Sequence, residues 1–350
     1  MAADPLERRR RRRRRWTLAA GGSLLLFAVL VSAAWWVARG ELETALERAR
    51  SEGRRSGYAL SYEGLAFAGF PLQMQASLER PSLAWQGGTW EGPAAVVGDA
   101  WLTDPYRLSL NGSGRHRLTL GPTSLQIDAG DAEAEVELAS AGPEALRLQL
   151  RRVDLSLADG SAAARLGSLD LAAAPLPPLP DAGSGTDLAL DLSGLTLPEL
   201  LPAPLSPDLQ SLSLRATLSG PLLQGPPERV LRAWQRQDGS LSLERFALVW
   251  GEVQVEAEGR LGLDPALRPQ GELTLQVASL PELLAALAAA GYLDPAAGDY
   301  AAMLQGMAQP RAGHSGTWTV LPLVLEDGWA YLNVLFARIP LARVPPLIRD

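Results

Sequence analysis

The 350-residue chain contains no cysteine, no lysine and only two histidines, His116 and His314. Without cysteine, neither a disulfide framework nor a thiolate metal site is possible. The two histidines lie far apart in the sequence, which excludes the close spacing typical of zinc ligands. His314-Ser315 stands between Gly313 and Gly316, which is not the Gly-x-Ser-x-Gly nucleophile elbow. We therefore expect no metal site and no serine triad.

Carboxylates are numerous, but their spacing selects no catalytic pair of the kind that glycosidases use. Glu133, Glu135 and Glu137 alternate along one predicted strand and so point to one face. Such a row could bind calcium, which takes oxygen ligands from several places. A wet outer face of a sheet is the simpler interpretation. We predict a protein without enzymatic activity and without a cofactor; a periplasmic hydrolase is the weakest alternative.

The net charge of −7 is unevenly distributed. Residues 1–15 hold the eight arginines Arg8–Arg15 against Asp4 and Glu7, a balance of +6 that leaves −13 for the remaining 335 residues. An acidic body argues against binding nucleic acid, whose phosphates require a basic surface. The arginine run is instead interpreted from the segment that follows it.

Residues 16–38 carry no formal charge and are long enough to cross a bilayer as a helix. Trp16 opens this segment, and Trp35 and Trp36 stand near its end, where interfacial aromatic residues are expected to anchor a helix. Because arginines flank the N-terminal side, the positive-inside rule predicts a single-pass inner-membrane protein with a cytoplasmic tip at 1–15 and the bulk of the chain in the periplasm. A signal peptide cleaved near Ala33-Ala34 is the alternative.

Beyond this segment we predict two further parts. Residues 39–57 are expected to form a short stalk helix, which Leu42 and Leu46 support at i,i+4. Residues 58–350 are expected to form a periplasmic β-rich domain. Within it, 174–186 is rich in Pro and Gly and is predicted to be a loop or hinge between two sheet halves.

The dominant pattern from residue 58 onward has period two, which is typical of strands with one apolar and one polar face. It is clearest at 72–78, 132–138, 146–150, 153–157, 188–192, 212–218 and 273–277. Hairpin turns are predicted at Gly87-Gly88, Asn111-Gly112, Asp159-Gly160, Asp238-Gly239 and Asp327-Gly328. Helices are predicted at 228–237 and 281–290, with a weaker one at 295–309.

These patterns predict a mainly β protein: a long, curved antiparallel sheet, forming a groove or an open barrel-like structure, with two or three short helices and one N-terminal transmembrane helix. So few helices leave much of an apolar sheet face uncovered, and a large exposed apolar surface marks a site for lipid or protein. A closed sandwich or barrel with an ordinary core is the alternative. The candidate groove residues are Phe70, Leu72, Met74, Leu273, Leu275 and Val277.

Several short sequence motifs spread over residues 16–350 resemble those of the domain of unknown function 2125 family, which consists of proteobacterial envelope proteins. They include Gly69-Phe70-Pro71-Leu72, Trp234 followed by Asp238-Gly239-Ser-Leu-Ser-Leu, Gly259-Arg-Leu-Gly-Leu, Gly271-Glu-Leu-Thr-Leu, and Asp327-Gly328 before Ile339-Pro340-Leu341. The anchor followed by repeated amphipathic strands is also similar, in architecture only, to AsmA-like proteins. That similarity implies a curved sheet with an apolar groove and a link to lipid handling between envelope membranes.

The function we expect is that of a non-enzymatic envelope protein whose apolar β-groove binds or passes membrane lipid. Burying acyl chains against such a groove would stabilise the complex by about 25 cal/mol per Å². The alternative is a structural scaffold that binds other envelope proteins through sheet edges or the helix at 228–237. Neither hypothesis involves nucleic acid.

Overall fold

The computed structural model describes most of the chain from residue 29 onward. The described residues are 29–44, 46–48, 50–51, 53–54, 57–71, 73–101, 104–139, 142–158, 160–179, 183–197, 206–220, 227–289, 309–310, 317–334 and 337–347. They form twenty strands and three short helices. The strand pairs are antiparallel throughout, which confirms the prediction of a mainly β, antiparallel protein.

The chain divides into two compact units. Unit 1 comprises residues 1–112 and 118–121, and unit 2 comprises residues 113–117 and 122–350. Strand β8 (Gly114–Leu120) contributes residues to both units. Each unit is described separately below.

The described residues of unit 1 form one helix and seven strands. Helix α1 covers residues 29–44, and helical residues recur at 46–48, 50–51 and 53–54. Strands β2 and β3 form a hairpin, β3 also pairs with β6, and β1 pairs with β4. The strands are β1 (Tyr58–Ser61), β2 (Gly64–Ala68), β3 (Gln73–Glu79), β4 (Ser82–Trp85), β5 (Gly88–Glu91), β6 (Ala95–Trp101) and β7 (Asp104–Asn111).

Helix α1 packs on the β2–β3 hairpin through aromatic side chains. Trp35 is 5% exposed, and its Nε1 donates a hydrogen bond to the carbonyl oxygen of Gln73 at 3.1 Å. The Trp35 ring also meets Phe70 edge-to-face, with ring centroids 5.6 Å apart. The guanidinium of Arg39 lies 4.7 Å from the ring centroid of Phe67. These contacts attach the middle of α1 to the unit 1 strands.

The predicted transmembrane segment is described only in part. Residues 16–28, which include Trp16, lie outside the described residues. Among the residues that are described, no helix combines the length and the apolar character needed to cross a bilayer.

Unit 2 is a meander in which each long strand pairs with the next along the chain. Helix α2 (Pro227–Arg236) connects β13 to β14, and helix α3 (Leu280–Ala289) follows β16. Both helices begin within one residue of their predicted positions. The strands are β9 (Thr123–Ala139), β10 (Gly142–Leu157), β11 (Ala162–Leu179), β12 (Gly183–Thr196), β13 (Asp208–Ser219), β14 (Leu241–Trp250), β15 (Val253–Leu263), β16 (Pro269–Ala278), β17 (Gln309–Pro310), β18 (Thr317–Glu326), β19 (Trp329–Val334) and β20 (Ala337–Arg343).

The predicted loop at 174–186 is wrong over most of its length. Residues 174–179 extend β11 and residues 183–186 begin β12, so the segment is the end of one long hairpin. Pro175 is opposite Thr186, and Leu176 is opposite Gly185. The division between the compact units falls at 112–122 rather than within this segment.

Close approach between strands requires the glycines that begin the motifs Gly259-Arg-Leu-Gly-Leu and Gly271-Glu-Leu-Thr-Leu. Gly259 and Gly271 have φ of +148° and +143°. A Cβ added to Gly259 would lie 2.2 Å from the carbonyl oxygen of Glu272, and one added to Gly271 would lie equally close to that of Arg260. Only glycine fits both the conformation and the space.

The turn between β15 and β16 depends on one buried carboxylate. Asp264, 7% exposed, accepts hydrogen bonds from the backbone N–H of Ala266 at 2.9 Å and of Arg268 at 2.8 Å. It also accepts one from Nε of Arg268 at 2.7 Å. Burial alone would raise the pKa of Asp264, but these hydrogen bonds and the Arg268 charge outweigh it and lower the pKa below its ordinary value.

We expect Asp264→Asn to lower the free energy of unfolding by about 1–3 kcal/mol at neutral pH, since it replaces a charge-assisted acceptor in a buried turn. Because folding lowers the pKa of Asp264, its stabilisation of the fold is fully present above the unfolded-state pKa of about 3.9. The stabilisation is lost as the pH falls through the lower pKa of the folded state. Urea unfolding between pH 7 and pH 3 should therefore show the difference between parent and variant shrinking in acid.

The matched control is Asp128→Asn, whose carboxylate lies 3.8 Å from Arg115 at an exposed site. It should change the unfolding free energy by less than about 1 kcal/mol. An equal loss in both variants would contradict the role assigned to Asp264.

Candidate functional site

The register of unit 2 places apolar side chains opposite one another from strand to strand. We name the surface that they form the leucine face. One row across it consists of Leu148, Leu171, Leu190, Leu214, Phe246, Ala257, Leu275 and Leu321. A second consists of Leu150, Leu169, Leu192, Leu212, Leu248, Val255 and Val277. Alternation along each strand and antiparallel register between strands together produce these rows.

The opposite face of the same strands carries ion pairs. Four of them join neighbouring strands: Arg147–Glu135 at 3.3 Å, Arg151–Asp170 at 2.8 Å, Arg165–Asp154 at 2.9 Å and Arg215–Asp191 at 2.6 Å. The hydrogen bond to Asp170 raises the pKa of Arg151, and that to Asp191 raises the pKa of Arg215. Partly exposed pairs add little stability each. Their main effect is to keep this face hydrated.

The leucine face is well covered at one end of the meander. Leu280 and Leu284 of α3 pack on Val277, Leu321 and Leu332 in a buried cluster. Val277 is only 1% exposed. At this end the leucine face is therefore an ordinary core between a helix and a sheet.

The same face is less covered on β10 to β13. Leu148, Leu171, Leu190 and Leu214 are all only half-buried. A smaller cluster around Ala129, Val153 and Leu166 lies further along β9 to β11. A row of half-buried leucines on four adjacent strands is an apolar surface that water still reaches.

The predicted groove residues are divided between the two units. Phe70 and Met74 belong to unit 1, where Phe70 is exposed and Met74 half-buried; Leu72 lies outside the described residues. Leu273 and Leu275 lie half-buried on β16 in unit 2. The interpretation of Val277 as a groove residue is wrong, because α3 covers it.

The predicted anchor residues differ in their surroundings. Trp35 is buried in unit 1, so its ring is not available to the membrane interface, contrary to the prediction. Trp36 is 61% exposed, and Val29, Leu30 and Val37 on the same helix are exposed to a similar degree. Trp16 lies outside the described residues.

A cavity of about 390 Å³ lies between α2 and the ends of four strands. Its lining contains no charged side chain. The lining residues are Leu218, Val230, Leu231, Trp234, Leu241, Leu261, Gly262, Leu263, Pro269 and Leu347. We name this space the α2 cavity.

Helix α2 is held over the cavity by Trp234. The indole Nε1 donates a hydrogen bond to the carbonyl oxygen of Ser219 at 2.7 Å, and the backbone N–H of Gly239 donates to the carbonyl oxygen of Trp234 at 3.0 Å. The ring lies so close to Gly239 that an added Cβ would approach it to 2.3 Å. Asp238-Gly239, predicted as a hairpin turn, instead lies in the turn after α2, which ends at Arg236; Asp238 has φ +52°.

Part of this site could be predicted from the sequence. The helical period at 228–237 puts Val230 and Trp234 on one face, and both line the α2 cavity. The strand residues and Leu347 were not associated with that helix, because no local pattern connects them. Among the described residues, no group of three His, Asp or Glu side chains is arranged to hold a metal ion.

Comparison with known proteins identifies the family. A family model described as an uncharacterized protein conserved in bacteria (DUF2125) matches residues 35–345, so the chain belongs to that family. The match confirms the resemblance that the short sequence motifs indicated. No curated protein and no solved structure matches the chain.

We expect Gly239→Ala to displace Trp234, since the new methyl group would occupy space that the indole ring fills. Overpacking of this kind costs about 1–3 kcal/mol. The free energy of unfolding should fall by that amount, and the indole N–H resonance of Trp234 should shift. Gly262→Ala is the matched control, because its Cβ would meet only the carbonyl oxygen of Gly239, at 3.5 Å. Equal effects of both substitutions would contradict the packing described here.

Proposed function

For this member of the DUF2125 family, we propose a non-enzymatic role in the cell envelope: anchored in the inner membrane by its N-terminal segment, it binds or passes lipid on the leucine face of unit 2. The observation that carries the proposal is the row of half-buried leucines on β10 to β13. A contiguous apolar surface that water still reaches is a candidate interaction site.

The chemistry of the two faces favours a hydrocarbon ligand. The leucine rows offer dispersion contacts and no hydrogen-bonding side chain, whereas the opposite face is ion-paired and stays in water. Each Å² of apolar surface that a ligand covers contributes about 25 cal/mol. An acyl chain can lie along such a row without leaving a polar group unpaired.

The N-terminal segment supports the location. Residues 16–38 are uncharged and follow eight arginines. The same segment includes four exposed apolar side chains of α1, those of Val29, Leu30, Trp36 and Val37, which would face acyl chains in a bilayer. With the arginines in the cytoplasm, the residues after the segment, 39–350, would lie in the periplasm.

Because the chain has no cysteine, single introduced cysteines can report the orientation. We expect Thr123→Cys, at an exposed position, to react with a membrane-impermeant maleimide once the outer membrane is permeabilised. Ala3→Cys should react only after the inner membrane is disrupted. Labelling of Ala3→Cys in cells with an intact inner membrane would contradict the orientation.

Photocrosslinking tests lipid binding in the full-length protein. We expect a photoreactive amino acid in place of Leu190 to form adducts with lipid in living cells, identified by mass spectrometry. The matched control is Ala189, its neighbour in sequence, which points to the opposite face beside Ala172 and Arg215. At Ala189, lipid adducts should be at background.

Two results would overturn the lipid hypothesis. Equal lipid labelling at Leu190 and Ala189 would show that the leucine face has no preference for lipid. Adducts at Leu190 with proteins and none with lipid would favour the scaffold alternative instead.

A further inference from the structure

We propose that the α2 cavity holds the hydrocarbon chain of an anionic amphiphile, with its acidic headgroup at the arginines of α2. The inference rests on the proposed function in taking lipid as the ligand class. It concerns a different place, at the end of the meander rather than on β10 to β13.

The lining of the cavity selects a hydrocarbon. Its side chains are aliphatic apart from Trp234, whose Nε1 already donates to the carbonyl oxygen of Ser219 at 2.7 Å. No side chain of the lining is thus left to bind a polar ligand atom. A cavity of about 150 Å³ accommodates benzene, so the 390 Å³ of the α2 cavity suits a longer apolar group.

The cavity is accessible from solution. Among its lining residues only Leu263 is buried, while Leu218, Leu231, Leu241 and Leu261 are half-buried. Leu347 is 57% exposed. The polar end of a bound molecule can therefore remain in water while its chain enters.

The charge on α2 complements an anion. The helix carries three arginines and one glutamate, in a body that is otherwise strongly acidic. Glu228 pairs with Arg232 at 2.9 Å. Arg229 and Arg236 have no carboxylate partner among the described residues, although Nε of Arg236 donates to the carbonyl oxygen of Arg232 at 3.2 Å.

These arginines belong to α2, the helix that lines one side of the cavity. Helical periodicity puts them on the outer face of the helix, opposite the side that carries Val230 and Trp234. A helix with its side chains is about 10–12 Å across. A headgroup that leaves the cavity past the edge of α2 would approach Arg229 and Arg236 from the side of the helix.

Trp234 provides a local probe of occupancy. We would titrate the full-length protein, held in amphipol, with 9,10-dibromostearic acid, whose bromines quench tryptophan at contact. The expected result is saturable quenching that is absent from Trp234→Phe, leaving only the response of the other tryptophans. Identical quenching curves for parent and Trp234→Phe would overturn the proposal.

Filling the cavity gives a second test with a matched control. Val230→Phe combined with Leu261→Phe should abolish the Trp234-dependent quenching without lowering the melting temperature, since both new rings enter an apolar space. Ala172→Phe combined with Ala189→Phe, on the ion-paired face of β11 and β12 and away from the cavity, should leave the quenching intact. Full quenching in the folded cavity-filled variant would overturn the proposal.

The headgroup is tested by charge. We expect Arg229→Gln combined with Arg236→Gln to weaken binding of the dibromo acid about tenfold, the factor that corresponds to one charge-assisted hydrogen bond. The methyl ester of the same acid should bind the parent and this variant equally and about as weakly as the variant binds the acid. Equal affinity of the parent for acid and ester would overturn the assignment of an anionic headgroup.

The outcome is distinguishable from that of the proposed function. Lipid adducts at Leu190 without quenching of Trp234 would refute the α2 cavity site alone. Quenching of Trp234 without adducts at Leu190 would retain the cavity site and refute lipid binding on the leucine face.

Discussion

The antiparallel pairing of strands that alternate between apolar and polar residues is the constraint on which unit 2 depends. Period two puts every second side chain on one face, and the register brings leucine opposite leucine on the next strand, as at Leu171 and Leu190. A shift of one residue would move a whole row to the ion-paired face and bury charges such as Asp170 against leucine. The register is thereby fixed, and a continuous apolar face follows from it.

Strand pattern and helix positions could be predicted from sequence because they are local. The alternation at 188–192 and at 212–218 identifies β12 and β13, and Pro227 at the first turn marks the start of α2. The prediction failed at 174–186 because Pro and Gly were taken to exclude strand. At the end of a long hairpin a missing N–H is tolerated, and there Pro175 pairs with Thr186.

The same local logic explains the error at Asp238-Gly239. A two-residue hairpin and the end of a helix both require a residue with positive φ, and Asp238 has φ +52°. The sequence alone therefore fits either structure, and tertiary context decides. Here the decisive contact is the Trp234 ring, which occupies the space where a Cβ of residue 239 would lie.

The candidate site was less predictable because it depends on which part of an apolar face a helix covers. Pattern alone made Val277, Leu273 and Leu275 equivalent, yet α3 buries the first and leaves the others half-buried. The α2 cavity likewise requires the ends of β13 to β16 and Leu347 to meet, at sequence separations that no periodicity reports.

The balance between helices and strands explains why an apolar surface remains. A helix about 10 Å wide covers roughly two to three strands spaced about 4.8 Å apart. Helix α3 accounts for the face around β16 and β18, and α2 lies over the ends of β13 to β16 with a cavity beneath it. Among the described residues, neither helix packs on the leucines of β10 and β11. On β10 and β11 the leucines therefore stay half-buried, and they offer contact area without hydrogen bonds, which is the surface that the proposed hydrocarbon ligand would cover.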